Sequence, residues 1–149
     1  MSTATQQVSG FDQAPYVGAL LRLVHGEARS RILKMLVDRG MGDIGQTYFG
    51  LFQFPGVDGQ RPTDVAKRLG VSKQALNNMV GQLERLGYVE RHSTPGARHT
   101  VLRYTDRGWQ VLETSVQTMR ALEAEWQDQL GAGRFAELKA TLKFLAGMK

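Results

Sequence analysis

The stretch from residue 63 to residue 104 constrains the fold most, because helix caps and glycines punctuate it at short intervals. The Thr63 hydroxyl can take a first-turn amide, which makes it the expected N-cap of a helix over 64–69. Gly70 follows in the position just past the last turn. Ser72 is the next cap, and its helix runs to Leu86 and stops at Gly87. Residues 88–93 and 98–104 then read as two strands, with Thr94, Pro95, Gly96 and Ala97 turning between them.

The helix opened by Ser72 has two unlike faces. With Leu76 at 0° and about 100° per residue, Leu76, Met79, Val80, Leu83 and Leu86 fall between about 280° and 40°. The opposite arc, from about 100° to 200°, holds Asn77, Gly81, Gln74, Arg85 and Asn78. An apolar back and a polar front poor in acids are what a major-groove reader needs. Two short helices joined by a tight turn, the second followed by a hairpin, make a helix-turn-helix with a wing.

Charge supports this reading. The net charge of the 149 residues is +5, and all of it lies in residues 61–107. That segment carries nine Lys/Arg against four acids, while 1–60 and 108–149 are each neutral at five against five. A local basic block between neutral arms points to a polyanion.

The arms read as helices. Residues 1–10 look like a floppy lead. From Pro15, an expected first helical residue, Val17, Leu20, Leu21, Val24, Ala28, Ile32 and Met35 recur at helical period, and Gly40 suits the stop. A helix of about 25 residues is twice the globular mean. Residues 46–54, with Tyr48, Phe49, Leu51, Phe52 and Phe54, suggest a short buried helix ended by Pro55 and Gly56. Thr105 caps a second long helix carrying Leu112, Val116, Met119, Leu122, Trp126 and Leu130. Gly131 and Gly133 break it, and a last helix over 134–145 carries Phe135, Leu138, Leu142 and Leu145. This is more apolar surface than a small winged module can cover, so Val17, Leu20, Leu21, Val24, Leu138, Leu142 and Leu145 are expected to meet a second copy across a two-fold axis.

Several function classes are excluded. With no cysteine the chain has no disulfides, thiolate-ligated zinc or thiol nucleophile, which suits the cytoplasm. No apolar run reaches the roughly 18 residues of a membrane span, and residues 1–10 do not resemble a secretory signal. No phosphate-cradling, zinc-protease or nucleophile-elbow motif occurs, so no catalytic residue or cofactor is expected. His92 and His99 face each other if the hairpin turns between Pro95 and Gly96, but no third ligand is near, and no metal site is expected.

The run LGVSKQALNNMVGQLERLGYVER (69–91), the basic hairpin and the following Tyr104-Thr105-Asp106-Arg107-Gly108 resemble the MarR family of bacterial transcriptional regulators. The resemblance is strongest over 61–108. It implies a homodimer with intertwined terminal helices, two winged modules on a pseudo-palindromic operator in double-stranded DNA, and in many relatives release by a small phenolic or anionic effector. Relatives usually hold the wing-tip arginine with an aspartate two residues before it. Here the tip reads Ser93-Thr94-Pro95-Gly96-Ala97-Arg98, with no acid and about one residue fewer.

The expected fold is therefore mainly α: one domain over 1–149, a winged helix-turn-helix at 41–107 and long dimerisation helices at 11–40 and 108–149. The expected function is a DNA-binding transcriptional regulator, read as a repressor that an effector releases. Expected DNA contacts are Ser72, Lys73, Gln74, Asn77, Asn78 and Arg98. Arg22, His25 and Arg29 border the apolar stripe of the first helix, and with Tyr48 and Phe52 they form the expected wall of a pocket for an aromatic acid. The competing class is a winged-helix adaptor that binds protein instead of DNA. The polar front of 72–86 argues against it, since protein-binding helices more often expose apolar anchors.

Overall fold

The computed structural model describes residues 15–93 and 95–149. The lead over 1–10, the first residues of the 11–40 arm, and Thr94 of the hairpin lie outside the described residues.

The chain runs α1 (Val17–Asp38), a 3₁₀ turn (Gly42–Ile44), a single helical turn α2 (Gly45–Tyr48) and a second 3₁₀ turn (Phe49–Phe52). The winged unit follows: α3 (Pro62–Leu69), α4 (Lys73–Arg85), β1 (Val89–His92) and β2 (Val101–Tyr104). Two helices close the chain, α5 (Asp106–Leu130) and α6 (Ala132–Leu145). The mainly α fold with a two-stranded antiparallel wing is the one expected.

The local signals acted largely as their chemistry dictates. Gly70 is left-handed at φ +66°, and the Val71 amide reaches back to the Ala66 carbonyl at 3.0 Å, closing α3. Ser72 Oγ accepts from the Ala75 amide at 3.0 Å, and Thr105 Oγ1 accepts from Gly108 at 3.1 Å. Thr63 is not the cap of α3. Pro62 takes the first helical position, where its missing N–H goes unused, so the cap falls on Arg61.

Other departures have equally local causes. Residues 46–54 do not form one helix, because the chain tightens into 3₁₀ at Phe49 and ends there at Phe52. Phe54 lies beyond it, 84% exposed, and is not core. The strands are shorter than expected and the wing loop longer. Register pairs His92 with Val101, so His92 and His99 are not opposite each other. Gly133 lies inside α6, and the break belongs to Gly131 alone, at φ +82°.

One core joins α1 and α5 to the winged unit. Ile32 and Leu36 of α1 and Val111 of α5 pack with Val65, Leu76, Val80, Leu83, Tyr88 and Leu102 of the winged unit. The turn before α3 is tied to the wing: Gly59 N–H donates to Leu102 O at 2.7 Å, and Leu102 N–H donates to Gln60 O at 2.8 Å. Asp58 secures it, its carboxylate accepting from Arg103 at 2.9 Å and from the Tyr104 amide at 3.0 Å. By contrast, α6 buries none of its residues, and Val17, Leu20, Leu21 and Val24 of α1 are exposed.

Candidate nucleic-acid interface

The apolar back of α4 is fully buried at Leu76, Val80 and Leu83, which fixes the rotation of the helix about its axis. Lys73, Gln74, Asn77, Asn78 and Arg85 are consequently exposed on one side, with Ser72 at the N-terminal edge. The four N-terminal residues of that set sit where a recognition helix meets base edges. Unpaired first-turn amides beside Ser72 and Lys73 also suit a phosphate. Arg98 is exposed in the wing loop, two residues after Gly96 at φ +84°. Among the described residues, no hydrogen bond or ion pair engages the side chains of Lys73, Gln74, Asn78 or Arg98.

Asn77 differs. Arg91 of β1 lies between the wing and α4, with Nη1 2.7 Å from Glu84 Oε1 and Nη2 donating to Asn77 Oδ1 at 3.5 Å. Sequence reasoning did not find this link. The available signal was the charge pair seven residues apart across the Gly87 turn.

Arg107 is a structural hub. Its guanidinium donates to the Leu86 carbonyl at 2.6 Å, pairs with Asp43 at 3.1 Å and lies 4.3 Å from the Tyr88 ring centre. The Tyr88 phenol donates to the same Asp43 carboxylate. Burial first, and that carboxylate second, push the Tyr88 pKa well above its ordinary value of 10. Burial likewise raises Tyr104, whose hydroxyl donates to Leu51 O at 2.6 Å and accepts from Val57 N at 3.0 Å.

Between α1, α5 and the segment over 49–56 lies a cleft of about 590 Å³. His25 and Arg29 of α1, Phe52, and Met119 and Arg120 of α5 line it, and Phe54 stands at the wall. Arg29 donates to the Gln46 carbonyl and lies 5.9 Å from the Phe49 ring centre, while its Nε is buried without a partner. Two of the expected wall residues are elsewhere. Arg22 shares the azimuth of Arg29 but lies two turns earlier, on the exposed part of α1. Tyr48 packs against the core. The 3₁₀ turn after it puts residues three apart on one side, so Phe49 and Phe52 form the aromatic wall together. The α5 wall, including Arg120, was not anticipated.

This arrangement is a winged helix-turn-helix with long flanking helices. Residues 53–99 match the model of the MarR family. Solved structures agree over nearly the whole chain. A transcriptional regulator from Thermotoga maritima is 27% identical, with 86% of this chain and 89% of that one covered at a TM-score of 0.58. The oxidized form of MarR from E. coli is 25% identical, with 91% and 98% covered at 0.68. A MepR mutant from S. aureus, bound to an oligodeoxyribonucleotide, shares the fold at 19% identity, with 90% and 98% covered at 0.54. No curated protein matches the chain by sequence. The winged segment is of the MarR family, and the chain has the fold of MarR-family transcriptional regulators. The family recognised in residues 69–91 is thus the one found.

Proposed function

We propose that the protein is a homodimeric regulator that binds a pseudo-palindromic site in duplex DNA through α4 and the wing. The carrying observation is the exposed front of α4: amides and cations held outward by a fully buried back, beside a basic wing. Ser72, Lys73, Gln74, Asn77 and Asn78 enter the major groove in this reading, and Arg98 takes a phosphate or the minor groove. The polar front disfavours the protein-adaptor alternative. The uncovered apolar surface of α1 and α6 supports residues 11–40 and 108–149 as the dimerisation region and 41–107 as the DNA-binding region. Repression is the reading for the bound state, in the cytoplasm and without catalysis.

The cleft supports an effector. Apolar walls edged by Arg29, Arg120 and His25, with the one lining acid, Glu123, paired to Lys139 at 2.8 Å, suit a small aromatic anion, the rings taking the walls and the carboxylate the cations. Such a molecule weakens DNA binding only by preferring the conformation that binds DNA poorly. Selecting genomic fragments on the purified protein and sequencing them tests the central claim. Enrichment of a two-fold motif with half-sites about 10–10.5 bp apart is expected, and enrichment of no sequence refutes it.

A further inference from the structure

The geometry points to Arg91 as a specificity-determining residue that acts through Asn77, orienting its side-chain amide so that the hydrogen-bond donor is the group it presents foremost to DNA. This rests on the DNA-binding reading above and goes beyond it, because Arg91 itself touches no base.

The placement follows from helix geometry. Asn77 and Glu84 are seven residues apart, so they lie on one stripe of α4 two turns apart, at the edge of the exposed face next to the wing. Residue 81 lies on the turn between them. It is a glycine, and a Cβ there would meet nothing closer than the Arg85 guanidinium at 3.8 Å. The low ridge lets Arg91 come in from β1 and touch both side chains. Glu84 and Arg91 are each about one-third exposed, at 34% and 36%, and only 2.7 Å apart. Glu84 therefore does two things. It anchors the guanidinium, and its charge is cancelled on a face that would otherwise turn a carboxylate toward phosphates.

The consequence is at Asn77. A free asparagine offers both its carbonyl and its NH₂, which is how it pairs bidentately with adenine at N6 and N7. Here one of the two lone pairs of Oδ1 is engaged by Arg91 Nη2 at 3.5 Å, and the cation beside it makes the other a poorer acceptor. The Nδ2 amide is the freer group, a donor that suits the acceptors N7 and O6 of guanine, N7 of adenine or O4 of thymine. Cytosine offers only its N4 amino donor in the major groove and is disfavoured. Gln74 and Asn78, on the same face, have no such restraint among the described residues. The helix thus carries amides of two kinds, two free to read adenine bidentately and one biased toward acceptors.

The test is base preference. Selection from a randomised duplex library is run on the full-length protein, on Asn77→Ala, on Arg91→Ala and on Glu84→Gln. Asn77→Ala identifies the position, by flattening preference at one base pair in each half-site. At that position the parent accepts guanine, adenine or thymine and disfavours cytosine. Arg91→Ala frees the carbonyl, and adenine gains over guanine by about fivefold or more, the low end of what a bidentate pair discriminates. Glu84→Gln keeps the shape and the Arg91 charge but loosens the anchor, so it shifts the same position the same way. It also answers the question if Arg91→Ala fails to fold by circular dichroism. A preference at that position unchanged in Arg91→Ala and Glu84→Gln overturns the inference, as does equal weakening of all sequences in place of a shift. So does Asn77→Ala leaving every position as it was, with the DNA-binding reading intact. A parent that selects no sequence refutes the DNA-binding reading itself.

Discussion

Gly108 is the position where one added carbon should do the most damage. A Cβ there would lie 2.2 Å from the Tyr88 carbonyl oxygen and 3.1 Å from Tyr104 Cβ. Carbon–oxygen contacts are ordinarily no shorter than about 3.3 Å, so roughly 1 Å must be opened between two backbones. That carbonyl is tied, because it accepts from the Thr105 amide at 3.1 Å, and Thr105 caps α5. Overpacking of this kind costs about 1–3 kcal/mol. Loosening the Thr105 bond adds about 0.5–1.5 kcal/mol. Alanine's better helix propensity returns about 1 kcal/mol. The net is about 0.5–3.5 kcal/mol, centred on about 2 kcal/mol, and that central value lowers Tm by roughly 4–8 °C for a chain of this length. Gly26 is the internal control: it is helical and exposed, and a Cβ there meets nothing within 4 Å. Gly26→Ala should hold or raise Tm. Thermal unfolding followed by ellipticity, at one protein concentration for all variants, makes the comparison. A Gly108→Ala protein melting within about 2 °C of the parent would refute the argument, since it would mean the wing-to-α5 junction yields at little cost.

Other expectations concern charge, assembly and pH. Arg98→Ala alters both wings of a dimer, and at about −0.9 in log–log slope per phosphate should flatten the salt dependence of binding by up to roughly two such units. An unchanged slope and affinity would remove the wing from the interface. Arg29→Ala should blunt the weakening of DNA binding by millimolar salicylate while leaving binding without the compound intact; a full response in the variant, or none in the parent beyond matched sodium chloride, would remove the cleft as an effector site. Sedimentation at micromolar concentration should show a dimer, and Leu138→Glu with Leu142→Glu should shift it toward monomer. Tyr88 and Tyr104 have raised pKa values in the folded state, so the stability they hold is complete below pH 10 and falls as pH rises above it. Phenolate absorbance from these two should appear only together with loss of ellipticity, and phenolates formed in a fully helical protein would contradict their burial.

What was legible in the sequence was whatever short-range chemistry decides. Ser72, Gly70, Gly87 and Thr105 act within four residues of themselves, and each occupies the role its type suggests. The buried back of α4 followed from spacing alone. Misreadings arose where a neighbour took precedence, as when Pro62 displaced Thr63 from the cap, or where periodicity changed from 3.6 to 3.0 at Phe49. The cleft was half legible. His25, Arg29 and Phe52 could be placed from one helix and one aromatic run, whereas Arg120 and Met119 reach the cleft only through the packing of α5 on α1. The roles of Arg91, Arg107 and Asp58 were not legible, because their partners at Glu84, Asp43 and Arg103 are brought near by tertiary folding.

The shared core has a bearing on modularity. Residues 41–107 look separable on paper, a DNA-binding cassette between two structural arms. Yet Ile32, Leu36 and Val111 are interleaved with its own interior, and the Arg107 guanidinium also donates to Gly40 O at 3.3 Å, just outside the boundary. Excising the cassette would bare the apolar sites those three residues fill, so it should not survive as an independent module in a gene fusion. A change that shifts α1 or α5 shifts the seat of the reading helix with it. Recombination among such proteins is therefore expected to exchange whole chains or single surface residues of α4, and to leave the seam at residues 40 and 107 uncrossed.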